Sequence, residues 1–160
     1  MNNLVITTPT DCEVVITRAF DAPRHLVFDA LTKPELLERW YGPDGWKLVT
    51  CEVDLRVGGK WRFVSQQPGG KMIGQRGVYQ EIVPAERLVN TETWEDWDAG
   101  ETLVTTVLRE EGGKTTYTST ILFPSREVRD VVVKSGLEHG AKQLYEKLER
   151  VLRDLECGSA

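Results

Sequence analysis

The sequence lacks the features that define several common classes of protein. Its three cysteines, Cys12, Cys51 and Cys157, are odd in number and far apart, so they form neither a CxxC pair nor a disulfide framework. No apolar run is long enough to span a membrane, and the first residues lack the basic and apolar segments of a signal peptide. We therefore expect a cytoplasmic protein with reduced thiols.

Positive charge is also scarce. Lys and Arg total 20 against 25 Asp and Glu, which gives a net charge of −5. Nucleic-acid binding depends on clustered Lys and Arg, and none of these clusters is present, so we expect no nucleic-acid partner. The two histidines and three scattered cysteines do not supply convergent ligands. We therefore expect no metal ion and no cofactor.

Catalytic motifs are missing as well. The sequence has no phosphate-binding glycine loop, and its serines lie in no nucleophile elbow with an evident base. The residues that could bring charge or hydrogen bonds into a cavity are Arg62, Arg76, Tyr79, Glu92 and Tyr117. For the two arginines and the glutamate, cross-strand pairing on the surface is the favoured interpretation. We assign no catalytic residue.

What the chain does contain is a long series of strand-like segments. Six runs with β-branched and aromatic residues at two-residue spacing cover residues 46–55, 60–66, 71–83, 87–94, 102–110 and 115–123. Short turns with glycine or proline separate them, which indicates antiparallel neighbours. An earlier strand covers residues 12–20. Two short helices follow it, one opening at Pro23 and the next starting at Pro34 and stopped by Gly42-Pro43.

After the sixth run, the sequence predicts one long amphipathic helix that begins at its N-cap, Ser125. Its apolar stripe at the 3.6-residue period comprises Val133, Leu137, Gly140, Leu144, Leu148, Val151 and Leu155. A helix of near thirty residues can lie across a whole sheet. We predict a single α+β domain over residues 1–160, with a core over about 12–155, in which an antiparallel sheet of six to seven strands curls around this helix.

This order of elements and several short motifs resemble one known superfamily. The motifs are Arg18 to Pro23, Pro34 to Leu36, Trp40 to Pro43, Arg56 to Gly59, Gly77 to Leu88, Thr102 to Thr105, and Pro124 to Asp130 with Ser135-Gly136. Over about residues 14–152, the chain is similar to the START/birch-pollen-allergen-like (SRPBCC) superfamily, in the branch named after the activators of heat-shock-protein-90 ATPase. The resemblance implies a helix-grip fold whose sheet and C-terminal helix enclose an apolar cavity, which in relatives holds lipids, polyketides, hormones or drugs.

The large aromatic residues then have two interpretations, since they either fill the core or form a pocket wall with a few polar tips. Gly140 in the stripe and Gly136 at its edge favour a cavity. A mid-helix glycine costs about 1 kcal/mol relative to alanine, and a stripe that only fills a core would carry leucine or alanine there. Close packing of the helix backbone on the sheet is the alternative. The candidate ligand-binding residues are Trp40, Trp61, Phe63, Tyr79, Trp94, Tyr117, Ser119, Gly136, Gly140 and Leu144.

Three functions stay open. The first is binding of a small, mostly hydrophobic ligand of lipid, polyketide-like or aromatic type. The second is a cyclase, dehydratase or hydrolase, which a pocket-facing carboxylate with a shifted pKa would favour. The third is a chaperone cofactor or stress-response protein, although chaperone activators carry a further N-terminal domain and about a dozen residues precede the first predicted strand here. Homodimer formation is compatible with such a domain, but no residue demonstrates it.

Overall fold

The computed structural model describes residues 3–42 and 44–158, and within them the chain forms eight strands and four helices. The strands are β1 (Val5–Thr7), β2 (Glu13–Phe20), β3 (Lys47–Val53), β4 (Lys60–Gln66), β5 (Met72–Val83), β6 (Arg87–Trp94), β7 (Thr102–Glu111) and β8 (Lys114–Leu122). The helices are α1 (Arg24–Thr32), α2 (Pro34–Trp40), α3 (Arg126–Lys134) and α4 (Leu137–Glu156). Pro43, part of the predicted helix stop, lies outside the described residues.

The eight strands of the described chain form one antiparallel sheet in the order β1-β2-β8-β7-β6-β5-β4-β3. The predicted six-strand meander is confirmed as β3 to β8, and the predicted α+β helix-grip class is confirmed with it. Register shifts between Leu48 and Thr50 on β3, and between Tyr79 and Glu81 on β5, mark bulges that bend these strands. The bends let the sheet curve around the helix that packs on it.

The sheet has one strand more than the six to seven predicted. In β1, Ile6 pairs with Ile16 of β2, at the edge of the sheet. This strand has only three residues, too few to show the alternation by which a strand is recognised in a sequence. Its pairing with β2, and not its own pattern, makes it a strand.

The two short helices begin and end where prolines dictate. Pro23 is the N-cap of α1, and Pro34 occupies the first turn of α2. Lys33, between them, has the extended backbone that a residue before proline adopts, so the two helices cannot merge. Both helices then pack against α4, and α2 carries Leu37 and Trp40 into the core.

The predicted single C-terminal helix is wrong in one respect, because it is two helices. Ser125 caps α3 as expected, with its Oγ accepting from the Val128 N–H at 3.2 Å. The helix then ends at Lys134, and Gly136 adopts a left-handed backbone with φ of 98° before α4 begins. Glycine suits this position because a side chain is disfavoured at positive φ. The predicted stripe therefore does not extend back to Val133, which is 38% exposed.

The long helix α4 lies on the inner face of the sheet, and the core fills the space between them. From the sheet, Val14, Ile16 and Phe20 of β2 point inward at every second or fourth residue. From the helix, Leu148 and Leu152 are fully buried. Within the described part of the chain, no helix is long and apolar enough to cross a membrane.

Candidate functional site

A cavity of about 470 Å³ lies between the inner face of the sheet and the first half of α4. Its wall is built by inward-facing residues of β2 and β4 to β8, by α2 and the loop after it, and by residues 137–145 of α4. Gly140 is exposed and also belongs to the wall, so the cavity reaches the surface there. Volume and position are those of a small-molecule site.

Nine of the ten candidate residues lie in this wall. They are Trp40, Trp61, Phe63, Tyr79, Trp94, Tyr117, Ser119, Gly140 and Leu144. The tenth, Gly136, lies outside the wall, because it forms the junction between α3 and α4. The structure thus brings the predicted residues together, and their contact with a ligand stays a prediction.

One end of the cavity is an aromatic cluster around β4. Trp61 and Phe63 share the inner face of this strand, with ring centroids 4.8 Å apart. Tyr41, in the loop after α2, meets Phe63 edge-on at 4.9 Å. Its hydroxyl donates to Oε1 of Gln75 on β5. Tyr41 was missed in the sequence because it follows the end of a helix, where no periodic pattern places it.

A glycine on the next strand makes room for the Trp61 indole. Gly77 is the partner of Trp61 in the β4–β5 register. A Cβ atom at Gly77 would lie 2.6 Å from Nε1 of Trp61 and 1.9 Å from the Thr91 carbonyl oxygen, so no side chain fits there. The indole N–H is buried and has no hydrogen-bond partner among the described residues. It is therefore a free donor beside the cavity.

A pair of tyrosines forms the opposite part of the wall. The hydroxyls of Tyr117 on β8 and Tyr145 on α4 are 3.0 Å apart and share a hydrogen bond. Phe20 meets both rings edge-on, each at 6.1 Å. Burial raises the pKa of both tyrosines, so their hydroxyls stay neutral. Tyr145 was missed in the sequence, although it shares the helical spacing of other buried residues of α4.

The charged candidates divide between surface and cavity. Arg62 lies on the outer face, where its Nε and Nη2 donate to the Glu95 carboxylate at 2.8 and 3.0 Å. Arg76 is also exposed. The surface interpretation is therefore correct for both arginines, and it is wrong for Glu92, which lies in the cavity wall.

The alternation of β6 explains the position of Glu92. Leu88, Asn90, Glu92 and Trp94 are spaced by two residues, and all four line the cavity. The sequence contained this signal, because Trp94 was assigned to the wall and Glu92 shares its parity. A preference for carboxylates on the surface overrode it.

The Glu92 carboxyl is partly buried. Desolvation raises its pKa from 4.5 to about 7. No hydrogen bond or ion pair to it occurs among the described residues. Its charge acts on three buried tyrosines, Tyr41, Tyr117 and Tyr145, and helps to raise the pKa of each. One carboxyl and three phenols thus lie together in a wall whose other polar side chains are uncharged, among them Gln75 and Asn90.

A comparison with models of known protein families gives a match. The family model described as "Activator of Hsp90 ATPase homolog 1-like protein" matches residues 21–153. The chain belongs to this family. The predicted superfamily is therefore confirmed, and its fold commonly holds hydrophobic ligands.

Solved structures of similar bacterial proteins agree with the membership in this activator-homologue family. A Rhodobacter sphaeroides protein is 29% identical, with a TM-score of 0.88 over 94% of this chain and 99% of that chain. A Nitrosomonas europaea protein is 25% identical, with a TM-score of 0.84 and the same coverage. A Staphylococcus epidermidis protein is 25% identical, with a TM-score of 0.82 over 94% of both chains. None of the curated proteins matches the sequence.

The described wall of this family member offers acid–base and hydrogen-bonding groups. In the described ranges, no three His, Cys, Asp or Glu residues converge as metal ligands. Burial, followed by the charges of Glu38 and Glu35, raises the pKa of Cys51 to about 11, so its thiol is a poor nucleophile. Ser119, in the wall, is buried beside Tyr117 without a histidine among the lining residues. Within the part of the chain that the structure describes, Glu92 is the one carboxyl that lines the cavity.

Proposed function

We propose that this protein binds a small, mostly apolar molecule in the cavity under the first half of α4. The observation that carries the proposal is the concentration of nine aromatic side chains around one space of about 470 Å³. Aromatic rings offer large apolar area and little rotamer freedom to lose. Scattered polar groups, among them Gln75, Asn90 and Glu92, are suited to orient the ligand.

Tryptophan emission offers a direct test, since four of the five tryptophans line the cavity. Titration with the apolar fluorophore N-phenyl-1-naphthylamine should give saturable, one-to-one binding and a change in tryptophan emission. The variant Trp61→Phe should reduce that change without removing it, because Trp40, Trp46 and Trp94 also line the space.

The chain provides a matched control in Trp97, which lies between β6 and β7, is 38% exposed and is not part of the wall. Trp97→Phe should leave the emission change and the affinity as in the wild type. Non-saturating partition of the fluorophore, or equal effects of the two substitutions, would contradict the proposed site.

Glu92 favours a second candidate, an enzyme that works by acid–base catalysis in the same cavity. A carboxyl with a pKa of about 7 can both give and accept a proton near neutral pH. Hydrolysis of p-nitrophenyl butyrate is a convenient probe of the hydrolase type. Catalysis at this site predicts a rate that Glu92→Gln abolishes while fluorophore binding persists. A rate that is equal in both proteins would exclude Glu92 as the acid–base group.

The remaining expectations from the sequence stay predictions. They are a chaperone partner, homodimer formation and a cytoplasmic location. The family's name links it to a chaperone ATPase. A pull-down with purified heat-shock protein 90 and sedimentation of the free protein would test the first two directly.

A further inference from the structure

The charge inside the cavity is of one sign. Among the described residues of the wall, Glu92 is the one acidic residue, and none is lysine, arginine or histidine. Ion pairs of the described chain occupy other carboxylates, such as Glu95 with Arg62 and Glu149 with Arg18. A carboxylate removed from water without a cation is costly, and proteins usually provide a partner. Among the described residues no cation pairs with Glu92, and its side chain lines the cavity.

The groups that face Glu92 are neutral. Tyr41 comes from the loop after α2, Tyr117 from β8 and Tyr145 from α4, and these tyrosines feel the charge of Glu92. Tyr79 on β5 is the fourth tyrosine of the wall, and burial raises its pKa as well. Their hydroxyls therefore stay protonated, and the Tyr117 and Tyr145 hydroxyls already bond to each other. None of them neutralises the carboxylate.

Aromatic rings around a lone carboxylate suit a particular kind of ligand. The negative faces of Trp and Tyr rings attract a cation, most strongly where water is excluded. An anionic ligand would meet Glu92 as a like charge, and a neutral ligand would at most donate a hydrogen bond and leave the charge without a counter-charge. Resting on the proposed function, we propose that the ligand of this cavity is an apolar molecule that carries a positively charged amine, which pairs with Glu92 while the apolar part contacts the aromatic wall.

Three ligands with the same chain and different head groups test this inference. Decylamine, decan-1-ol and sodium decanoate, each below its micellar concentration, would displace N-phenyl-1-naphthylamine from the full-length protein at pH 8. The amine should bind about tenfold more tightly than the alcohol, which is the range expected for a hydrogen-bonded charge pair, and decanoate should bind weakest. Glu92→Gln should bring the amine to within about twofold of the alcohol.

A matched charge change outside the cavity serves as control. Glu101 is exposed and does not belong to the wall, so Glu101→Gln should keep the preference for the amine. Lowering the pH below 7 should reduce the preference in the wild type, because Glu92 becomes protonated while the alkylamine keeps its charge. In Glu92→Gln, the same change of pH should have no effect on the preference.

Each failure has its own meaning. Saturable binding of all three ligands with equal affinity would overturn the inference and leave the proposed function intact. A preference for the amine that survives Glu92→Gln would also overturn the inference, because the charge would then be recognised elsewhere. Absence of saturable binding by the fluorophore and by decan-1-ol would overturn the proposed function, and the inference would fall with it.

Discussion

The two halves of α4 lie on the same sheet and differ in how they meet it. In the second half, Leu148 and Leu152 are fully buried against the sheet and the short helices. In the first half, Leu137 and Leu144 are partly buried and Gly140 is exposed, and all three face the cavity. One amphipathic helix therefore supplies a packed core at one end and the roof of a cavity at the other.

Polar contacts reinforce this difference. Side chains from residues 145–156 bond to the rest of the fold at four positions. Tyr145, at the edge of the cavity wall, bonds to Tyr117, and Lys147 donates to the Gly42 carbonyl oxygen and pairs with Asp44. Glu149 pairs with Arg18 at 2.9 Å, and Asp154 pairs with Arg39 at 3.1 Å. Among the described residues, side chains at 137–144 make no such bond to another element. The second half is thus anchored by side-chain bonds that residues 137–144 lack.

Arg18 shows how firmly the anchored half is held. It is 5% exposed, pairs with Glu149 and lies 4.6 Å from the ring centre of Phe20. A buried ion pair adds little net stability, because its desolvation offsets its attraction. It does fix the position of the helix relative to β2. The second half of α4 therefore differs from the first both in its burial and in being fixed to β2 by a side-chain pair.

The largest expected effect comes from truncating one leucine in each half. Leu148→Ala should lower the free energy of unfolding by about 2–5 kcal/mol, because it opens a void in a close-packed core. Leu144→Ala, the same change one turn earlier, should cost less than about 1.5 kcal/mol, since its side chain already borders empty space. Urea unfolding of both variants measures the difference.

The effects of these two substitutions on fluorophore binding should have the reverse order. Leu144→Ala alters the wall and should change the affinity for the fluorophore, whereas Leu148→Ala should leave affinity unchanged at temperatures where the variant is folded. Equal losses of stability in the two variants would show that α4 packs uniformly along its length. The first half of α4 would then not border a cavity.

The second prediction concerns the stability cost of Glu92. The folded carboxyl keeps its proton up to a pH of about 7, whereas the unfolded carboxyl releases it near 4.5. The folded state binds more protons in this window, so this residue makes the protein less stable as the pH rises through it. At pH 8, Glu92→Gln should be more stable than the wild type by about 2 to 3 kcal/mol, and near pH 4.5 the two should be alike.

Urea unfolding from pH 4.5 to 8 measures this gain, with Glu101→Gln as the control for a carboxylate in water. The control should follow the wild type at every pH. A gain from Glu92→Gln that is the same at both ends of the range would show that its carboxyl titrates normally. A residue that weakens the fold without a bound partner is of the kind that proteins keep for binding.

Particular residues show how far the sequence predicts this molecule. Two-residue alternation and short turns determine the meander, and the same alternation places Trp61 and Tyr117 on the inner face. A local sequence pattern is less informative about the junction between two helices. Gly136 follows the helical period, yet it ends a helix, because its left-handed backbone reflects the path of the chain between α3 and α4.

The site was harder to predict than the fold for a physical reason. Glu92 occupies a position on β6 whose side chain points to the inner face of the sheet. Burying a carboxylate without a partner is unfavourable, so the sequence alone favours the surface for this residue. Tyr41 enters the wall through a loop, where neither period applies. Side chains that line a cavity can depart from the rules that fold the chain, and sequence patterns miss those departures.

The smallest expected effect is at Gly140, at the roof of the open half. A Cβ atom built there has no heavy atom within 4 Å outside its own helix, so a side chain meets open space and not the sheet. Close backbone packing, the alternative considered for this glycine, is therefore absent in the described structure. Gly140→Ala should raise the free energy of unfolding by up to about 1 kcal/mol through helix propensity alone. In a chain of this size, that is a rise of about 2–4 °C in Tm.

Gly140→Leu distinguishes the effect of helix propensity from the effect of filling the cavity opening. It should bring a similar gain in Tm, and its longer side chain should cover the opening and weaken or slow fluorophore binding, which Gly140→Ala should leave close to the wild-type value. Thermal unfolding and a binding titration on the three proteins give both quantities. A loss of Tm in both variants would mean that the first half of α4 is packed as tightly as the second. A gain in Tm without any change in binding by Gly140→Leu would place the entrance of the cavity elsewhere.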